Sequence, residues 1–223
     1  MLLLIGFYFC VIIYFMKIKV FALGLLQANC YVVSLNNDAI IIDPGHSENA
    51  VNDYILENNL NVRGVILTHA HFDHVTGADF FAKAYNVPVY VHRADSAALT
   101  DFYANLSLPF LHKQGTVESD KVCVEDGQTV DFGDLSARFI HTPGHTIGGM
   151  CIEVGNSIFT GDTLFAGSVG RTDFPGGSES VLLDSLKKLK ELYGELDMAV
   201  YPGHGPQSDI KTEIKTNIYF RSI

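Results

Sequence analysis

Residues 67–77 read LTHAHFDHVTG. His69, His71, Asp73 and His74 crowd into one turn, between the apolar run Val65-Ile66-Leu67 and a stretch that opens like a helix. In an extended chain alternate side chains share a face, so His69 and His71 point the same way and Asp73 keeps the phase. His74 breaks it, as a tight turn or a helix start allows. Neutral imidazole and carboxylate are the usual ligands of zinc and other borderline divalent metals. A catalytic zinc site needs three protein ligands and a water. The turn therefore demands partners from elsewhere in the chain.

Such partners are present. Of nine histidines, His145 in HTPGHTIGG and His204 in YPGHG also sit in Gly- and Pro-rich loops after strand-like runs. Asp162, in FTGDTLF, follows a strand directly. A strand end anchors the backbone while its side chain faces an open crevice.

The pattern around these loops predicts the architecture. KIKVFAL, NCYVVSL and AIIID read as three successive strands. Ser47 is a candidate N-cap for a helix running to about Asn59, with Val51, Ile55 and Leu56 on one face. Residues 63–67 form a buried strand, 76–86 a helix and PVYVH another strand, with helix-prone chain from Arg93. Residues 101–121 are the least regular part and read as a surface loop or lid. QTVDF, SARFIHT, GMCIEV and SIFTG are strands. SESVLLDSLKKLKEL is an amphipathic helix with Val181, Leu182, Leu186, Leu189 and Leu192 apolar. MAVYPG is a last strand before a polar helix. Two strand-rich layers with outer helices bury this pattern.

At 223 residues and 48% hydrophobic, the chain has a globular composition with a sizeable core. A net charge of -10 gives no electrostatic footprint for nucleic acid. The four cysteines, Cys10, Cys30, Cys123 and Cys151, form no Cys-x-x-Cys pair and read as reduced thiols, with Cys151 in the core.

His69-Ala70-His71-Phe72-Asp73-His74, with Gly144-His145, Gly161-Asp162 and Gly203-His204, resembles the metallo-β-lactamase superfamily. The resemblance covers nearly the whole chain from Met16. It implies a four-layer αββα sandwich with the metal site at one edge, and two divalent metal ions, zinc foremost, with iron or manganese as alternatives. Carried over, His69, His71 and His145 would hold the first metal, Asp73, His74 and His204 the second, and Asp162 would bridge them. IIDPG, THAHFDH, TPGHTIGG, GDTLF, GSVGRTDFPGG and YPGHG are similar to short glyoxalase II-like hydrolases. That implies hydrolysis of an S-acylglutathione-like thioester by a metal-activated water, with Asp73 and Asp162 acting on the water. Two departures bear on the substrate. Full-length members of that type continue into a C-terminal helical glutathione-binding domain, which is not expected here because 19 residues follow His204, and GRTDF replaces a tyrosine-bearing loop.

Several assignments stay open on the sequence. Asp43, before Pro-Gly, is a turn residue or a carboxylate orienting a ligand histidine. Arg171 clamps a substrate carboxylate at the rim or pairs with Asp173. His46, His92, His112 and His141 read as ordinary surface or core histidines. The alternative enzyme is a persulfide dioxygenase with one iron on His69, His145 and Asp162, suggested by GRTDF. A lactonase, a β-lactamase (disfavoured by the Gly161-Asp162 bridge) and a non-enzymatic metal-binding protein rank lower. Residues 1–16 are uncharged and mostly apolar, shorter than the ~20 residues of a full span. They read as an anchor, an atypical signal peptide or an extension before a start at Met16, which leaves residues 16–223 as one hydrolase domain. With Lys17 and Lys19 following, an anchored domain would face the cytoplasm, and membrane contact is expected only through that anchor.

Overall fold

The computed structural model describes residues 16–112 and 115–223. The N-terminal apolar segment, with its three readings, lies outside them. The first half of the chain builds β1 (Lys17–Leu23), β2 (Ala28–Leu35), β3 (Asp38–Ile42), α1 (Asn49–Glu57), β4 (Asn61–Ile66), α2 (Phe72–Val75), α3 (Ala78–Tyr85), β5 (Val89–His92), α4 (Ser107–Leu111) and β6 (Lys121–Val124). The second half builds β7 (Thr129–Phe132), β8 (Leu135–His141), β9 (Met150–Val154), β10 (Ser157–Gly161), β11 (Leu164–Phe165), β12 (Ser168–Val169), α5 (Glu179–Tyr193), β13 (Ala199–Pro202), β14 (Ser208–Asp209), α6 (Ile210–Thr216) and α7 (Ile218–Arg221). Among the described residues no helix is long and apolar enough to cross a membrane.

Two six-stranded sheets run in the orders β1-β2-β3-β4-β5-β6 and β14-β13-β10-β9-β8-β7. In the first, β1, β2 and β3 pair antiparallel, and β3 through β6 pair parallel. Alternation along the strands makes the layers. Val33, Ile40, Ile42 and Ile66 turn inward against Phe132, Phe139, Ile152 and Phe159 of the second sheet. Their neighbours Val32, Ile41 and Val65 turn outward under Val51 and Ile55 of α1 and Phe81 of α3. On the far side Ile140, Cys151 and Ile158 pack under Leu186 and Leu189 of α5, Ile210 of α6 and Phe220 of α7. This is the αββα sandwich expected from the period-two strands and amphipathic helices.

The differences from the sequence expectation are local. The N-cap of α1 is Glu48 rather than Ser47, and it makes no side-chain cap bond. Leu56 is exposed, because the buried stripe of α1 is Val51 and Ile55 alone. On α5 the same narrowing leaves Val181 and Leu192 exposed and buries Leu182, Leu186 and Leu189. The supposed loop over 101–121 contains α4, and β6 begins at its last residue. Side-chain bonds such as that from the Ser107 amide to Asn105 Oδ1 join local backbone bonds there, and neither leaves a periodic trace.

Candidate metal centre

The site lies where strands of both sheets end at one edge of the sandwich. Asp43 follows β3, His69 and His71 follow β4, His145 follows β8, Asp162 follows β10 and His204 follows β13. His71 is the N-cap of α2, and this short helix supplies Asp73 and His74. The break in phase seen at His74 is thus a helix start.

The side chains close on one another from these separate loops. His71 Nδ1 lies 2.8 Å from His145 Nε2, and His69, His71 and His145 group within ligand reach of a common point. Asp73, His74 and His204 form a second such group, with His204 Nε2 3.2 Å and His74 Nε2 3.6 Å from Asp73 Oδ2. Asp162 stands between them, 3.3 Å from His74 Nε2, 3.5 Å from His145 Nε2 and 3.7 Å from His204 Nε2. Every metal-ligand candidate from the sequence is therefore gathered in one place.

The hydrogen bonds orient the rings. His74 Nδ1 donates to Asp43 Oδ2 at 2.9 Å, which turns Nε2 toward Asp73 and Asp162. Asp43 also accepts from the Thr68 amide at 2.7 Å and the Thr68 hydroxyl at 2.5 Å. Thr68 Oγ1 in turn lies 3.1 Å from His69 Nδ1. Asp43, His69 and His74 also fall within mutual ligand reach. Because the Asp43 oxygens are already taken by Thr68 and His74, its position fits an orienting carboxylate better than a third ligand set. The Arg171 carbonyl accepts from His145 Nδ1 at 2.6 Å. These bonds leave His69 Nε2, His71 Nε2, His74 Nε2 and Asp162 Oδ1 buried with no hydrogen-bond partner. Buried polar atoms are nearly always satisfied, so this cluster of lone pairs and carboxylates fits divalent cations.

The electrostatics set the rings apart. Burial pushes His69 well below the usual imidazole range, reinforced by His74, His71 and His145. Burial and then His145 take His71 down to about 3. Both are therefore neutral and have free lone pairs. Burial alone would depress His74, but Asp73, Asp162 and Asp43 outweigh it and hold this ring well above its ordinary value. Burial would raise Asp162 and Asp73; neighbouring histidines, His74 foremost, instead hold both carboxyls below the usual range.

Glycines admit this crowding. A Cβ at Gly203 would lie 2.3 Å from Asp162 Oδ1 and 2.7 Å from His74 Cε1. One at Gly45 would fall 1.7 Å from the Asp73 carbonyl oxygen. The Pro-Gly pairs of both loops thus permit close approach of backbone to the site.

Two supports escaped the sequence reading. Asp95 is buried and accepts from the Ala70 amide at 3.0 Å, the Thr146 hydroxyl at 2.8 Å and the Gly148 amide at 2.7 Å. It ties the His69–His71 turn to the His145 loop. Burial raises its carboxyl above the usual value despite those bonds. Asn29 donates to the carbonyls of Pro202 at 3.0 Å and Gly205 at 2.9 Å, bracing the His204 loop. Neither residue carries a local motif. Arg171 makes two 2.6 Å bonds to Asp173 and lies 4.0 Å from the Phe174 ring centroid, so the internal pair weighed from the sequence is formed. It also lines the cavity over the site.

Residues 23–204 match a family model described as the metallo-beta-lactamase superfamily. A probable metallo-hydrolase of Bacillus subtilis is 33% identical over 204 residues, covering 91% of this chain and 96% of that one. The crystal structure of the B3 metallo-beta-lactamase BLEG-1 superposes with a TM-score of 0.85 at 31% identity, over 92% of this chain and 99% of that one. A structure of TTHA1623 in a di-iron-bound form gives 0.79 at 32% identity, over 90% and 99%.

Proposed function

The chain belongs to the metallo-beta-lactamase superfamily, and from that premise we propose that it is a metal-dependent hydrolase of thioesters, of the S-acylglutathione type named by its glyoxalase II-like motifs. What carries this function is the convergence of two ligand groups, His69-His71-His145 and Asp73-His74-His204, on either side of Asp162. A one-iron oxygenase needs only His69, His145 and Asp162; the second group favours hydrolysis.

His69, His71 and His145 would hold one ion, Asp73, His74 and His204 a second, and Asp162 would face both. Two bound divalent ions supply an activated water and polarise a carbonyl oxygen. Zinc suits this imidazole and carboxylate set; the similarity to a di-iron protein makes iron the other candidate. Asp73 and Asp162 would orient the attacking water and accept its hydrogen bonds. Asp43 and the Arg171 carbonyl fix the tautomers of His74 and His145. A thiol leaves as thiolate with a pKa of about 8.5, so no separate general acid is required.

Metal analysis of purified protein beside a thioester panel tests this function. Two ions per chain with thioester cleavage are expected. One iron with oxygen uptake on a persulfide would replace the hydrolase by an oxygenase. The similarity to a B3 metallo-beta-lactamase favours a second activity on β-lactams, although the Gly161-Asp162 bridge argued against it. A chromogenic cephalosporin in the same assay decides that point.

A further inference from the structure

Two cavities meet at Phe72 and Asp73. One, of about 420 Å³, opens over His71, His145, Asp162 and His204. Its wall is otherwise apolar, made by Leu26, Leu106, Phe110, Phe165, Val169 and Phe174. Among the described residues lining it Arg171 is the one cation, and its guanidinium is committed to Asp173 and the Phe174 ring. The other cavity, of about 510 Å³, is faced with Gln27, His46, Ser47 and Glu48. The second cavity also carries Ala22, Leu25 and Leu111, so a scissile bond placed at Asp73 would have an apolar chamber on one side and, on the other, a mixed surface that includes hydrogen-bonding groups.

The apolar wall is built with care. Leu106 has φ 66°, a left-handed conformation that is strained for a non-glycine residue. It is held there by buried neighbours. Asn105 Oδ1 accepts from the Ser107 amide at 2.9 Å, and Asn105 Nδ2 donates to the Gly115 carbonyl at 2.7 Å. Ser107 Oγ accepts from the Gly115 amide at 3.0 Å. The Asn105 carbonyl accepts from the Phe72 amide at 2.8 Å, fastening this segment to the metal-site turn. Phe110 stacks on Phe72 with centroids 5.4 Å apart and meets Phe174 edge-on at 6.1 Å. Phe110 nevertheless remains 43% exposed and lines the chamber. Backbone strain maintained by a buried network beside a reactive site is where a functional contact is expected.

We propose that this chamber is the acyl subsite, and that the substrate carries an apolar acyl group, linear or aryl, of about four to eight carbons in a cavity of this size. The inference rests on the thioester hydrolase function above. The thiol part lies on the Gln27 and Ser47 side. A lactoyl group, with two carbons beyond the scissile carbonyl and its hydroxyl next to that carbonyl, would stay beside the metal groups and leave most of the apolar wall uncovered.

Binding and turnover test this separately. S-methyl, S-butyl and S-hexyl glutathione, thioethers that cannot be hydrolysed, are titrated by calorimetry into the metal-loaded protein. Affinity should rise about threefold per added methylene, a little below the value for full burial. Phe110→Ala should flatten that gradient, and because Phe110 is partly exposed its unfolding temperature should stay near wild type; Phe174→Ala is the second variant. Equal affinity across the series, or a gradient untouched by both variants, overturns the subsite. Among glutathione thioesters hexanoyl should exceed lactoyl in kcat/KM by at least about tenfold; lactoyl equal or better also overturns it. A graded thioether series with no thioester cleaved leaves the subsite standing and removes the thioester hydrolase function.

Discussion

Two histidine clusters form at strand ends in this molecule, and they behave oppositely. His69, His71, His74, His145 and His204 face carboxylates across a shared centre, with several ring nitrogens buried and unpartnered. His92 and His141, at the ends of β5 and β8, lie flat on each other with centroids 3.9 Å apart and planes 8° apart. One nitrogen of each ring bonds to the backbone: His92 Nδ1 accepts from the Ala94 amide at 3.3 Å, and His141 Nε2 donates to the Ile147 carbonyl at 3.0 Å. Proximity of imidazoles is common to both. Only the first leaves lone pairs aimed at an acidic centre, and that difference separates a ligand set from a packing contact.

The largest test of this contrast is His71→Ala. It should remove metal from the first group and reduce thioester turnover to the uncatalysed level, read by metal analysis and initial rates; full activity would break the assignment. Next is Asp43→Asn. Asp43 has φ 50°, which asparagine also tolerates, so the change isolates the charge behind His74. Metal affinity should fall about ten- to hundredfold in a competitive chelator titration. His141→Ala should leave metal content unchanged and lower stability by about 1–2 kcal/mol in denaturant, through lost stacking and one lost bond. Loss of metal there would erase the distinction between the clusters.

The smallest effect is expected outside both clusters, on α3. Burial opposes ionisation of Asp79, but hydrogen bonds from Lys83 and the Ser119 and Glu118 amides hold its carboxyl below the ordinary value. Its contribution is therefore complete above the unfolded carboxyl pKa of about 3.9 and fades as pH falls through the lower folded value. Asp79→Asn should cost about 1 kcal/mol at pH 7 and remove that part of the acid sensitivity in pH-dependent unfolding.

The metal-site residues were legible because each stands in a short pattern with its own chemistry. His69 and His71 share a strand phase, and Asp162, His145 and His204 each follow a strand with glycine beside it. The sandwich was legible through period-two runs such as Val32-Val33 and Ile40-Ile41-Ile42, whose alternate members do face different layers. Asp95, Asn29 and Asn105 were not legible. Each acts through hydrogen bonds to backbone groups of other loops, and nothing adjacent in sequence records those partners.

By itself, then, the sequence determined which side chains carry metal-binding chemistry and which strand ends present them, because ligand type and side-chain phase are local properties. Tertiary structure alone decided which imidazoles keep free lone pairs, how Asp43 turns His74, and that Leu106, Phe110 and Phe174 wall a chamber beside the site. Those outcomes depend on contacts between segments far apart in the chain, which close only when both sheets and their loops have packed.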